Sequence, residues 1–221
     1  MPLINKLEQV FLQGKDESRA KKQAAYMRDL FPFFGLPTQV RRAVQKPLFK
    51  TYPIQNEKQY KQVLTDLWSK EQREFQYAAL DIASSFRKLA SQEMLEIYEM
   101  MIRKKSWWDT VDDIAANLVG PLLSKHPKLV EVMDQWIRDE NLWIRRSALI
   151  FQLKWKKKTD TNRLFTYCRE VMHEPDFFIR KAIGWALRQY SKTDPIEVKQ
   201  FIQNNQHKLS PLSIKEGSKY V

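Results

Sequence analysis

Residues Lys105–Ile114 read KSWWDTVDDI, and the fold is read outward from them. Ser106 with Asp109 three residues later has the form of a capping box and predicts a helix start. On that helix Trp107, Val111, Ile114 and Leu118 fall at i, i+4, i+7 and i+11, the spacing of a buried stripe. Trp108 and Asp112 are also i, i+4 neighbours, on a stripe rotated by about 100° from the first. A tryptophan thus stands one turn from a carboxylate, off the core stripe. An aromatic face beside an anion is a floor for a cationic ligand, because both attract positive charge.

Outward from this helix, a rhythm appears. Phe75-Gln-Tyr-Ala-Ala79, Val111-Asp-Asp-Ile-Ala115, Ile144-Arg-Arg-Ser-Ala148 and Phe178-Ile-Arg-Lys-Ala182 share a pattern, and their last alanines are 36, 33 and 34 residues apart. Three residues beyond each stands a large apolar group: Ile82, Leu118, Phe151 and Trp185. A period of about 35 residues, with no strand-like alternation, predicts an all-α chain built as an α-solenoid of paired helices. Upstream, helices are expected over residues 3–13, from about Arg19 to Phe31, and from Thr38, the last with a basic side of Arg41, Arg42, Lys46 and Lys50. FPFFGLP separates the second from the third, since Pro32 and Pro37 with Gly35 cannot continue a helix. Residues 206–221 show little periodicity beyond one short helix. The whole, residues 1–221, reads as a single domain.

The balance of 38 basic against 26 acidic residues gives a net charge of +12. Such a balance suits a polyanion, nucleic acid first and an anionic membrane second. The basic residues are spread over several repeats rather than gathered on one amphipathic helix, which disfavours the membrane. The amino terminus lacks a basic region followed by an apolar one, so no secretory signal is expected. Cys168, the one cysteine, excludes an internal disulfide and suits a reducing cytoplasm; it reads as a small buried side chain. His126, His173 and His207 lie far apart and with Cys168 show no zinc-ligand spacing. The five glycines form no phosphate loop. Neither metal nor cofactor is expected.

Two further clusters carry charge. Lys181, Trp185, Arg188 and Lys192 fall on one stripe of the last repeat, three cations around a tryptophan. The stripe reads either as a surface following a phosphate backbone or as a snorkelling solvent face with Trp185 half-buried. Arg145 and Arg146 precede Lys154 and the run Lys156–Lys158, and Arg146 and Lys154, two turns apart, can share a face. Among the acids, Asp109 reads as a capping residue, Asp113 as a solvent-facing one, and Asp112 as the one placed with Trp108.

K-S-W-W-D-x-V-D, together with AYMRDLFPFFG at Ala25–Gly35, NLWIRRSALIFQLK at Asn141–Lys154 and FFIRKAIGWALR at Phe177–Arg188, resembles the DNA alkylation repair family, the HEAT-like-repeat DNA glycosylases of the AlkD type. The resemblance runs from about Tyr26 to Asn205 and implies HEAT-like helical pairs in a C-shaped superhelix with a concave basic face. It implies hydrolysis of the N-glycosidic bond of cationic N3- and N7-alkylated purines in duplex DNA, without a base-flipping pocket. Carried over by motif, Asp112 is the catalytic carboxylate, Trp108 and Trp185 flank the deoxyribose, and Tyr26 lies near the lesion. Arg146, Lys154 and Arg188 contact the DNA backbone. Both amino-terminal helices of the family are present, and the carboxyl terminus is short beside it. The expected partner is alkylated duplex DNA, bound by a cytoplasmic monomer. The rival reading is a non-catalytic α-solenoid that binds DNA structures or damaged DNA.

Overall fold

A computed structural model describes residues 2–221. Its elements are α1 (Pro2–Gln13), α2 (Glu17–Tyr26), α3 (Thr38–Thr51), α4 (Glu57–Ser69), α5 (Arg73–Ser85), α6 (Met94–Arg103), α7 (Trp108–Asp113), α8 (Gly120–Lys125), α9 (Glu131–Trp136), α10 (Leu142–Ile150), α11 (Thr161–Val171), α12 (Phe177–Ser191), α13 (Pro195–Asn205) and α14 (Pro211–Gly217). Among the described residues there is no strand, and no helix is long and apolar enough to cross a membrane. The chain divides into two compact units between Ile97 and Tyr98, within α6.

In the first unit α1 buries Leu3, Ile4, Leu7 and Phe11 against α3 and α4. The second helix is shorter than its sequence pattern: α2 ends at Tyr26, and residues 27–29 turn, with Arg28 and Asp29 both at φ 56°. The FPFFGLP segment is irregular, and one side chain satisfies three of its N–H groups. The buried Glu74 carboxylate accepts from Phe34 N at 3.0 Å, Gly35 N at 2.8 Å and Leu36 N at 3.2 Å. Apolar packing holds the segment too, with Phe34 against Phe11 and Phe75. The basic side expected of α3 is partly neutralised. Arg41 and Arg42 both bond Asp81 of α5, at 2.7 and 3.0 Å; Arg41 is buried, while Arg42, Lys46 and Lys50 are exposed. Burial alone would raise the Asp81 carboxyl, but the charges and hydrogen bonds of Arg41, Arg42 and Gln45 hold it below its usual value.

The second unit is a stack of helical repeats. One row runs from α7 to α10 to α12 to α14, each helix packed on the next, with α9, α11 and α13 against its members. Ala115, Ala148 and Ala182 are buried in this row, as are Leu118 and Phe151, and Ala79 and Ile82 occupy the same places in the first unit. Trp185, the fourth large group of the pattern, is only half-buried. At the row's amino-terminal end Trp107, Trp143 and Phe178 meet with ring centroids 5.5, 5.2 and 4.9 Å apart. These three positions, separated by 36 and 35 residues, clamp three successive repeats together.

The helix that begins at Trp108 continues to Lys125 through a π-helical turn over Ile114–Val119. Pro121 accounts for the widening. It lacks the N–H that would bond back to Asn117, and its ring crowds that carbonyl, so the turn opens instead of breaking. Gly120, next to it, lies so close to the following repeat that an added Cβ would sit 2.1 Å from the Phe151 carbonyl oxygen. Trp155 Nε1 donates to the Gly120 carbonyl at 3.1 Å, tying the turn after α10 back to α8.

Candidate functional site

The helix start at α7 differs from the capping-box expectation. The cap position is Trp107, in extended backbone, with no side-chain cap bond. Ser106 Oγ instead donates to the Ile102 carbonyl at the end of α6, where helix-terminal carbonyls lack intrahelical partners. Asp109 still lies in the first turn, where the helix dipole favours a carboxylate. The apolar stripe is as expected: Val111, Ile114 and Leu118 are buried and Trp107 packs on two rings. Asp113 is not merely solvated, since it accepts from Asn117 Nδ2 inside the π turn.

Asp112, one turn beyond the half-buried Trp108, meets α10. Arg146 Nε donates to Asp112 Oδ1 at 2.7 Å and Arg146 Nη2 to Oδ2 at 2.8 Å, a bidentate pair. The third guanidinium nitrogen, Nη1, donates to the Phe178 carbonyl at the start of α12. One arginine thereby ties three consecutive repeats. Arg146 is 5% exposed. Nε, Nη1 and Nη2 are thus all engaged within the protein, with Asp112 and the Phe178 carbonyl. Arg145 is likewise engaged, with the Asp139 and Glu140 carbonyls and with Glu174 at 2.8 Å. Burial pushes the Asp112 carboxyl up from its usual value, Arg146 opposes this, and Asp109 and Asp113 add to it. A carboxylate has about four lone-pair sites. Arg146 uses two, so Asp112 keeps acceptor capacity on both oxygens.

The stripe on α12 is not three unpaired cations. Lys181 Nζ donates to Glu216 Oε1 at 2.8 Å and Arg188 Nη1 to Glu216 Oε2 at 2.6 Å. Lys192 Nζ lies 5.3 Å from the Tyr220 ring centroid. The partners come from residues 206–221, where the sequence pattern is weakest, so Glu216 was missed. Lys181 and Glu216 are 35 residues apart, one repeat, and that offset is the signal that would have found it. Trp185 stands half-buried between Lys181 and Arg188.

The remaining positions separate. Lys154 is exposed in the turn that follows α10, which ends at Ile150, so it does not share a face with the buried Arg146. Tyr26, at the last residue of α2, is 71% exposed and belongs to the first unit. Cys168 is fully buried on α11, and burial pushes its thiol up to about 12, which leaves no thiolate for chemistry.

A model of the DNA alkylation repair enzyme family matches residues 7–221. A solved structure described as a predicted DNA alkylation repair enzyme from Enterococcus faecalis is 35% identical, with a TM-score of 0.86, covering 94% of this chain and 96% of that one. Two Streptococcus mutans structures, smu.31 of strain UA159 and AlkD2, are each 19% identical. Their TM-scores are 0.62 and 0.61; they cover 80% of this chain and 90% and 87% of their own, and show likeness of fold alone. No curated protein matches the sequence significantly.

Proposed function

This chain belongs to the DNA alkylation repair enzyme family, and from that premise we propose that it is a DNA glycosylase acting on cationic alkylated purines in duplex DNA. The observation that carries the reading is the Asp112 carboxylate, beside Trp108 on its own helix and fixed in direction by the buried Arg146. Alkylation at N7 or N3 gives the purine a positive charge, so the base leaves neutral and needs little acid help. As the N-glycosidic bond breaks, positive charge moves to the deoxyribose and an oxocarbenium-like species forms. Asp112 stabilises that charge and positions the water that adds to the sugar, its proton passing to solvent. Because Arg146 already orients the carboxylate, little reorganisation is needed as the charge develops. Trp108 and Trp185 present aromatic faces to the sugar cation. Lys154 and Arg188 contact backbone phosphates, and Tyr26 lies towards the lesion. The protein works as a cytoplasmic monomer without metal or cofactor, and holds the lesion without a base-flipping pocket.

The test is single-turnover excision of N7-methylguanine from duplex DNA at saturating enzyme, which removes binding from the rate. Asp112→Asn keeps size and removes the charge, and should lose about 10²–10³ in rate, roughly 3–4 kcal/mol. Asp109→Asn and Asp113→Asn should lose far less. An Asp112→Asn enzyme as fast as wild type would remove Asp112 from the chemistry. A wild type that binds duplex and excises nothing would hand the protein to the non-catalytic DNA-binding reading.

A further inference from the structure

Lys181 and Arg188 stand seven residues apart on one face of α12, with Trp185 between them, and each gives one bond to a different oxygen of the same carboxylate. A phosphodiester presents two oxygens and one negative charge in the same manner. We propose that Lys181 and Arg188 form one DNA phosphate site whose built-in occupant is Glu216, displaced when duplex binds, so that Glu216 limits the grip on undamaged DNA. The inference rests on the DNA-binding reading above and adds a residue and a function to it.

Three observations carry it. The trio is reachable: the Lys181, Arg188 and Glu216 side chains are 38%, 28% and 22% exposed, so a polyanion can compete for the two cations. The approach of Glu216 is built in by a glycine. A Cβ added at Gly184 would lie 2.5 Å from the Glu216 Cβ, so only a residue without one lets α14 bring its carboxylate onto the stripe. Finally, α14 does not need the ion trio to stay docked. Gly217 fits between Leu187 and Ile202, and the buried Ser213 donates to the Arg180 carbonyl at 2.9 Å. Lys181 first, then the neighbouring cations, hold the Glu216 carboxyl below its usual value, so the occupant is charged at neutral pH. With Glu216 in place the site presents one net positive charge in place of two. Ordinary duplex, the polymer a repair protein mostly meets, is then held less tightly.

The experiment measures affinity for an undamaged duplex over a range of salt for wild type, Glu216→Gln, Lys181→Gln and the double variant. Glu216→Gln should bind about fivefold tighter at low salt, and the slope of log affinity against log salt should steepen by up to about 0.9, because in wild type the freed Glu216 carboxylate takes up a salt cation and offsets one of those released from the DNA. Lys181→Gln should weaken binding more in the Glu216→Gln background than in wild type. Equal or weaker binding by Glu216→Gln at an unchanged slope overturns the proposal, because a strut that merely positions Arg188 gives that result. A second measurement uses the unaltered protein: the carboxyl carbon resonance of Glu216 should move when undamaged duplex is added to saturation. A resonance that stays in place under saturating duplex also overturns it. A wild type that binds no duplex at all removes the DNA reading, and this proposal with it, and is told apart by that first titration.

Discussion

At the scale of the residue, the Asp112–Arg146 pair is where charge and burial compete. Burial raises the Asp112 carboxyl and Arg146 opposes the rise. On the proposed mechanism excision requires the carboxylate, so activity should be full above its pKa and lost as pH falls through it. Because that pKa lies above the usual value of about 4, the acid limb of the single-turnover profile should lie above pH 4 as well. Arg146→Gln removes the opposing charge, so its limb should move to still higher pH. Removing one partner of a buried pair leaves the other uncompensated, at roughly 3 kcal/mol. The sign follows from the raised folded pKa: the folded variant binds the proton more tightly, so its deficit is greatest at neutral pH and shrinks as pH falls. Urea unfolding at two pH values checks the second outcome. An unmoved limb together with a shallower salt slope for DNA binding would return Arg146 to a phosphate.

At the scale of the element, the helix from Trp108 to Lys125 joins Asp112, the carboxylate proposed for catalysis, to a close backbone contact with the next repeat at Gly120. Its pitch widens over Ile114–Val119 because of Pro121, and it touches the next repeat through Gly120. Any side chain at 120 must push the Phe151 carbonyl away, and that carbonyl is backbone rather than a flexible tip. Gly120→Ala should therefore destabilise the protein by about 3 kcal/mol, the upper range for overpacking, read as a lower urea midpoint. A change within a few tenths of a kcal/mol would mean that the repeats slide apart at little cost, contrary to a close-packed row.

At the scale of the whole molecule, the count of 38 basic residues overstates what is free for DNA. Arg41, Arg42, Arg103, Arg138, Arg145 and Arg146 are all in ion pairs. Lysines such as Lys154 and Lys156–Lys158 stay exposed. Duplex binding should accordingly fall linearly with log salt, with weak sequence preference, and Lys154→Gln should make the slope shallower by about one. Affinity that does not change between low and moderate salt would contradict phosphate binding altogether.

The all-helical class, the period of about 35 residues and the buried side of the helix at Trp108 were legible in the sequence, because they depend on spacing along one chain. The alanines at 79, 115, 148 and 182 are all buried, and Trp108 and Asp112 lie off the apolar stripe as their offset predicts. The bonding partners of the polar groups were not legible, since they depend on how neighbouring repeats register. Arg146 reads as a surface cation until Asp112 and the Phe178 carbonyl enclose it, and the cations around Trp185 read as unpaired until α14 brings Glu216. Ser106 was free by sequence to cap α7 and turned instead to a terminal carbonyl of α6. Yet the period leaves a trace: Asp112–Arg146, Asp134–Tyr167 and Lys181–Glu216 are 34, 33 and 35 residues apart. Sequence alone sets which residues face the next repeat. Only packing decides which charges lose their water, and a charge that has lost its water must meet a partner.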